Sequence, residues 1–375
     1  MSDKFLHIVS FDIPYPVNYG GVIDVYYKIE ALHKKGIKVI LHNFKYGGRK
    51  EEPILNNICH KVYYYPRFNN KTAILSNKPY IVESRSSQKL LNRLASDDYP
   101  ILFEGLHSCL YLNNERIIHK KRFVRTHNIE HEYYKGLASA EKNPLKTLYF
   151  LSESKKLKLF EKKLAKASGI LSISKNDELY FKEINPNCCT ISAFHPSNQV
   201  NINCELGKYA LYHGSLDVSE NNKAALFLIN EVFNNINYPL TIAGNKPSKE
   251  LKNAAKNSKN IKLLSNLKEE DFAKLISEAQ INILPTFQAT GVKLKLLLAL
   301  HNGKHIIVND PMVQNTGLES LCHIANSAQE IKNKISELAE KNIDEIEIEK
   351  RKNILLNGIF SNEQNVIKLI DIIFS

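Results

Sequence analysis

The chain has 375 residues, with 51 Lys+Arg against 39 Asp+Glu and a formal net charge of +12. Apolar residues make up 43% and charged residues 24%, which excludes a disordered or fibrous chain, and at roughly 100–200 residues per domain the length predicts two domains. The charge is uneven: residues 1–170 carry 29 basic and 16 acidic side chains, net +13, whereas 171–375 carry 22 and 23, net −1.

In chain order, the opening MSDKFLHIVSFDIPYP has a short apolar run broken by Asp12 and Pro14, and reads as a buried first strand, not a signal peptide. Apolar runs follow at FLHIVSF (5–11), IKVILHNF (37–44), KVYYYP (61–66), ILFEGL (101–106), KRFVRTHN (121–128) and GILSIS (169–174). Helical periods separate them, such as VIDVYYKIEALHKKG (22–36), which ends on lysines and Gly36. Strands alternating with helices predict a parallel sheet covered on both faces. The pattern pauses at 185–208, a polar stretch with two prolines that suits an interdomain linker. It resumes with strands at 209–216, 239–244, 261–267, 281–287 and 305–310 and helices near 222–235, 269–279 and 291–302. A last amphipathic helix spans 362–375, with Val366, Ile367, Leu369, Ile370, Ile372 and Ile373 as its apolar positions. The expected division is 1–190, a linker at 191–208, a second domain at 209–360 and a return helix at 361–375.

No run reaches about 18 apolar residues, so no transmembrane helix is expected. The six cysteines, at 59, 109, 188, 189, 204 and 322, form no C-x-x-C pair, so neither a disulfide framework nor a zinc site is expected and a reducing cytoplasm fits best.

In such sheets ligands bind beyond the carboxyl ends of the strands. Gly20 and Gly21 precede a helix after the first strand, where backbone N–H groups can approach an anion or a sugar; a tight strand-to-helix turn would use the same glycines. The G-x-G-x-x-G and G-x-x-x-x-G-K-[ST] fingerprints are absent, which excludes a typical dinucleotide site or Walker loop. Two successive strand ends carry histidines: Glu104 and His107 after one, His127, Asn128 and Glu130 after the next. Histidine there can act as a base or hold a sugar hydroxyl or phosphate. In 286–310 Thr290 and Gly291 open a helix with Lys293 and Lys295 in its first turns. Cations at a helix N-terminus oppose the dipole, and a bound phosphate would reverse that penalty.

The segment 286–310, with Ala299, Gly303, Lys304 and Val308, resembles the nucleotide-sugar segment of GT-B glycosyltransferases, especially glycosyltransferase family four. YHGSLDVSENNKAALFLINEV (212–232) resembles the first strand and loop of that family's donor domain, with Gly214, Ser215 and Asn222 matching. PLTIAGNKP (239–247), RTHNIEHEYYKGLA (125–138) and SGILSISKNDELYF (168–181) resemble further family segments. The chain departs where the family carries two glutamates eight positions apart, having Thr290 and Leu298, and where it carries an Arg–Lys pair, having Ser215 and Asn222 nearby.

The resemblance implies an α/β protein of two Rossmann-like, doubly wound domains facing a cleft, with the C-terminal helix crossing back to the N-terminal domain. It implies transfer of a hexose, with retention, from a nucleotide-diphosphate sugar to a glycan or lipid-linked acceptor in surface polysaccharide or glycoconjugate synthesis, with no metal or other cofactor. Lys293, Lys295 and the helix N-terminus would stabilise the departing diphosphate. Gly244, Asn245, Lys246, Leu264 and Ser265 would border the base. Gly20, Gly21, Glu104, His107, His127, Asn128 and Glu130 would serve the sugar and acceptor. The alternative is a scaffold that binds nucleotide-sugar or glycan, or regulates a partner transferase, without turnover.

The basic half has its own candidate partner. ESKKLKLFEKKLAKA (153–167) reads as a lysine-rich helix with Leu157, Phe160 and Leu164 on one face, which with Arg116, Lys120, Lys121 and Arg122 suits an anionic membrane at the inner face of the cell. A solvated face of a core helix has the same pattern. Nucleic acid is the weaker partner because no recognition motif accompanies the charge.

Overall fold

A computed structural model of the protein describes residues 3–68, 76–141, 143–287 and 294–375. It forms two compact units, residues 1–194 with 362–375, and residues 195–361.

Among the described residues the first unit comprises β1 (Phe5–Ser10), α1 (Gly20–Lys34), β2 (Lys38–Lys45), β3 (Lys61–Pro66), α2 (Tyr80–Glu83), α3 (Gln88–Leu94), β4 (Ile101–Glu104), β5 (Arg122–Thr126), α4 (Glu130–Ala140), α5 (Pro144–Glu161), β6 (Gly169–Ser172), α6 (Lys175–Lys182) and β7 (Cys188–Thr190). Its seven strands are parallel in the order β3-β2-β1-β4-β5-β6-β7. The period-two alternation of strand residues sorts the core. Leu6 and Ile8 join Val22, Val25 and Ile29 of α1 on one face, and Val9, Phe103 and Val124 join Leu157 and Phe160 of α5 on the other.

The second unit comprises β8 (Ala210–His213), α7 (Ser219–Phe227), β9 (Leu240–Ala243), α8 (Lys249–Lys256), β10 (Ile261–Leu264), α9 (Glu269–Glu278), β11 (Ile281–Ile283), α10 (Leu294–Asn302), β12 (His305–Val308), α11 (Asp310–Val313), β13 (His323–Ile324), α12 (Ala328–Leu338) and α13 (Glu345–Leu356). Its parallel sheet runs β10-β9-β8-β11-β12-β13. The last helix, α14 (Asn362–Phe374), belongs to the first unit. There it packs on α1 and buries Val366, Leu369 and Ile373, while Lys368 donates to the Thr190 carbonyl.

Three expectations need correction. Residues 188–190 of the polar stretch form an edge strand, and the backbone just beyond is held by a buried side chain: Arg125 donates to the carbonyls of Ile191 and Ser192. The helix over 153–167 begins at Pro144, where the Asn143 side chain caps it, and ends at Glu161 in a tighter turn over Lys162–Lys166. Its Leu157, Phe160 and Leu164 are core residues, and Lys120 and Arg122 are buried with their charges on backbone carbonyls. None of these five side chains is available to a membrane.

Candidate active site

In each sheet the strand order reverses once, between β1 and β4 and between β8 and β11. Loops that leave the carboxyl ends on either side of such a point diverge and open a crevice. The candidate residues gather at these two places, one in each unit.

In the first unit the loop after β1 is fixed by Asp12, which accepts from the Ile13 N–H at 2.8 Å and the Tyr19 hydroxyl at 2.7 Å and pairs with Arg49 at 3.3 Å. It presents Phe11, whose ring centroid lies 5.4 Å from those of both His107 and His127. Gly21 is glycine for a packing reason: a Cβ there would come within 2.8 Å of the Phe11 ring. Beyond β4 the chain turns at Gly105 with φ +65°, a left-handed conformation that favours glycine, and this turn leads into His107.

Beneath the histidines lies a buried charge network. Lys28 reaches Asp24 at 2.9 Å and Glu104 at 2.8 Å, Arg125 reaches Asp24 at 2.9 Å, and His127 Nε2 lies 3.1 Å from Glu104. Burial would raise both carboxyl groups, but Arg125, Lys28 and His127 around Asp24, and Lys28 and His127 beside Glu104, hold them below the usual carboxylate range. Glu104 is fully buried, so it orients His127 and does not face a substrate. The Asp24, Glu104 and His127 ligand atoms are close enough to hold a metal ion, yet Lys28 and Arg125 already supply the positive charge there.

His107 Nδ1 lies 3.9 Å from Glu130, beyond hydrogen-bond reach, and is buried without a partner among the described residues. Burial, with Arg85 and His127 nearby, keeps His107 neutral. Glu130 is buried and pushed up to about 8 by burial and by Glu161, against the pull of Arg85 and a hydrogen bond from Asn128. Gly20, the first residue of α1, follows Tyr19, which offers no side-chain cap, and the first turn holds no acidic residue. Those helix N–H groups suit an anion.

In the second unit the loops after β8, β9 and β10 are laced together. Gly214 N–H donates to the Ala243 carbonyl, Gly244 N–H to Leu264, Ser265 Oγ to Gly244 at 3.0 Å, and Asn266 N–H to Asn245 Oδ1 at 2.7 Å. A Cβ on Gly244 would lie 2.0 Å from the Gly214 carbonyl oxygen, so only glycine allows these strand ends to touch. Lys246 and Asn266 both adopt φ near +55°, at 54° and 57°. Lys246 is exposed on the rim, 3.6 Å from Asp217, and Ser215 bonds Asp217 at 2.9 Å.

Lys295, in the first turn of α10, donates to Asn221 Oδ1 at 2.9 Å and lies 5.2 Å from the Tyr212 ring centroid. Asn221 also donates to the Ser215 carbonyl at 3.0 Å. Asn222, its neighbour, instead accepts from the Ser248 N–H at 3.3 Å and braces α8. His213 ends β8 with Nε2 buried and unpartnered among the described residues, and burial, then Lys295, pushes it down to about 3. Thr290, Gly291 and Lys293 lie outside the described residues. Leu298 packs against the buried cluster of Leu211, Ala243, Ile276 and Ala279, alongside Leu267 and Phe272.

The sequence reading missed Phe11, Asp24, Lys28, Arg85, Arg125, His213 and Asn221. Lys28 and Asp24 carried a weak signal as charges four apart on the apolar side of a helical period; the others carried none.

No protein-family model matches the sequence. An uncharacterised 44.6 kDa protein in the cps region of Klebsiella pneumoniae is 28% identical over 334 residues, covering 83% of this chain and 84% of that protein. Among solved structures, sucrose-phosphate synthase from Thermosynechococcus elongatus superposes with a TM-score of 0.69 at 13% identity, over 98% of each chain. Anabaena HepE in complex with UDP and glucose gives 0.68 at 11%, over 98% of this chain and 99% of that one. A TarM variant of S. aureus, in complex with fondaparinux, α-GlcNAc-glycerol and UDP, gives 0.69 at 12% over the whole of both chains. The fold is GT-B. Its two Rossmann-like units are the two parallel sheets described above. No helix among the described residues is long and apolar enough to cross a membrane.

Proposed function

We propose that the chain is a glycosyltransferase that moves a hexose, with retention, from a nucleoside-diphosphate sugar to a glycan or lipid-linked acceptor in surface polysaccharide or glycoconjugate synthesis, on the cytoplasmic side of the membrane. The observation that carries the reading is the rim of the second unit. The strand ends meet there at Gly214 and Gly244, too closely for a Cβ at Gly244, and Lys295 is held by Asn221 at the same switch point. The UDP bound in the HepE and TarM complexes, and the cps region of the Klebsiella relative, support this choice of donor and pathway.

The costly step in such a transfer is negative charge on the departing diphosphate. Lys295 supplies fixed positive charge without a metal, and Lys293 would add to it. In the first unit neutral His107, and His127 oriented by Glu104, would contact the transferred sugar, with the N–H groups of Gly20 and Gly21 beside them. Leu264 and Ser265, with Asn245 and Lys246, would border the base.

A second reading, a scaffold that binds donor or glycan without turnover, is favoured by one observation. The family's ribose-holding glutamate is replaced by Leu298, which lies in apolar packing. Isothermal titration with UDP and with GDP tests the donor site. UDP should bind, and Lys295→Ala should weaken it at least about tenfold, the loss of one charge-assisted contact. Absence of binding to either nucleotide, or indifference to Lys295→Ala, would overturn the reading. Hydrolysis or transfer of the donor sugar separates transferase from scaffold.

A further inference from the structure

Of the two orientations open to α5 from its sequence, the structure has the one with Leu157, Phe160 and Leu164 in the core, and its outer face is unusual. Leu145, Leu148 and Leu159 are 78%, 67% and 66% exposed, and Leu151 is 42% exposed. Scattered exposed leucines are ordinary, but these follow helical spacing along one side and are interleaved with the exposed Lys155, Lys158 and Lys162. The acidic residues of the segment are turned inward. Glu153 accepts from the Tyr80 N–H at 2.6 Å and pairs with Lys156, and Glu161 accepts from the Tyr180 hydroxyl at 2.8 Å and His131 Nδ1 at 2.9 Å. Both carboxylates are therefore buried within the unit, and the outer face of α5 carries leucines, lysines and the Ser152 hydroxyl but no acidic side chain. The tighter turn that follows adds the exposed Lys163 and Lys166.

We infer that the outer face of α5 is a docking surface for an anionic lipid bilayer, lying in the interface plane with Leu145, Leu148, Leu151 and Leu159 in the acyl boundary and the lysines among acidic headgroups. Charge complementarity selects this occupant. A protein partner or a second copy of the chain would have to bring its own acidic groups to five lysines, whereas an acidic leaflet supplies them at any register. Long lysine side chains can lie along the helix while their ammonium groups reach the headgroups. The inference goes beyond the transferase reading and fails separately from it, since UDP titration and vesicle binding are independent measurements.

The test is co-sedimentation of the full chain with phosphatidylcholine vesicles, with and without phosphatidylglycerol, at low and high salt. Binding is expected only to the anionic vesicles and should fall as salt shortens the screening length. Lys155→Gln with Lys158→Gln should weaken it about thirtyfold, at about 1 kcal/mol per charge. Lys252→Gln with Lys256→Gln, the same charge change on α8, should leave it within about twofold. Leu148→Ser with Leu159→Ser should also lower binding tenfold or more while leaving UDP affinity and the unfolding temperature unchanged, because both leucines are already exposed. The inference is overturned by absence of binding to anionic vesicles at low salt, by equal loss in the α8 pair, or by a dimer in sedimentation velocity that the leucine pair dissolves.

Discussion

Replacing Glu104 by Gln is the sharpest test of the charge network under the histidines. Glu104 and Lys28 are fully buried and Asp24 nearly so, and the two carboxylates face two cations, Lys28 and Arg125. The substitution keeps shape and volume but leaves one positive charge uncompensated away from water. Breaking a buried pair in this way costs about 3–5 kcal/mol. For a unit of about 200 residues, at about 2–4 °C per kcal/mol, the first unfolding transition should drop by about 6–20 °C. The double variant Lys28→Met/Glu104→Gln restores neutrality with an apolar side chain of similar length and should recover most of the loss. The pH dependence has a defined sign. Asp24 and Glu104 titrate lower folded than unfolded, so their contribution is complete above the unfolded value near 4 and is lost as pH falls through the folded ones. Differential scanning calorimetry resolves this. A Glu104→Gln transition within about 2 °C of wild type, or a double variant no better than the single, would refute the reasoning.

Three further outcomes follow from the geometry. Gly244→Ala places a Cβ 2.0 Å from a backbone oxygen and 2.8 Å from Leu216, so it should cost about 1–3 kcal/mol or more in the second transition and abolish UDP binding in titration. Asn221→Ala removes the group that holds Lys295 and should weaken UDP about threefold to tenfold; unchanged affinity would mean that Lys295 is not positioned by it. Glu130, pushed up to about 8, holds its proton in the folded state and loses it in the unfolded one between about pH 4 and 8, so stability should fall with rising pH across that window. Glu130→Gln should flatten that slope in denaturant titrations, and an unchanged slope would contradict the assignment.

The legible part of the site was the part carried on loops. His107, His127, Gly214 and Gly244 follow strand ends, Gly20, Gly21 and Lys295 open the helices α1 and α10, and the strands could be counted from short apolar runs. The unread part lies in side chains whose roles depend on distant partners. Arg125 looked like one more basic residue of a positive half, yet it is buried beneath Asp24, 101 positions away in sequence. Lys120 and Arg122 similarly entered the surface-charge count and are internal.

The sequence by itself determined the alternation of strand and helix, the polar break near residue 190 and the apolar spacing of the last helix, because periodicity and turn chemistry are local properties. Tertiary structure decided which face of each helix meets the sheet. Helix α5 has leucines on both sides, so hydrophobic periodicity left its orientation open. It was resolved by where Glu153 and Glu161 find internal partners, a contest between burying a bonded carboxylate and exposing a leucine that is settled only when α2, α4 and α6 are in place to supply Tyr80, His131 and Tyr180.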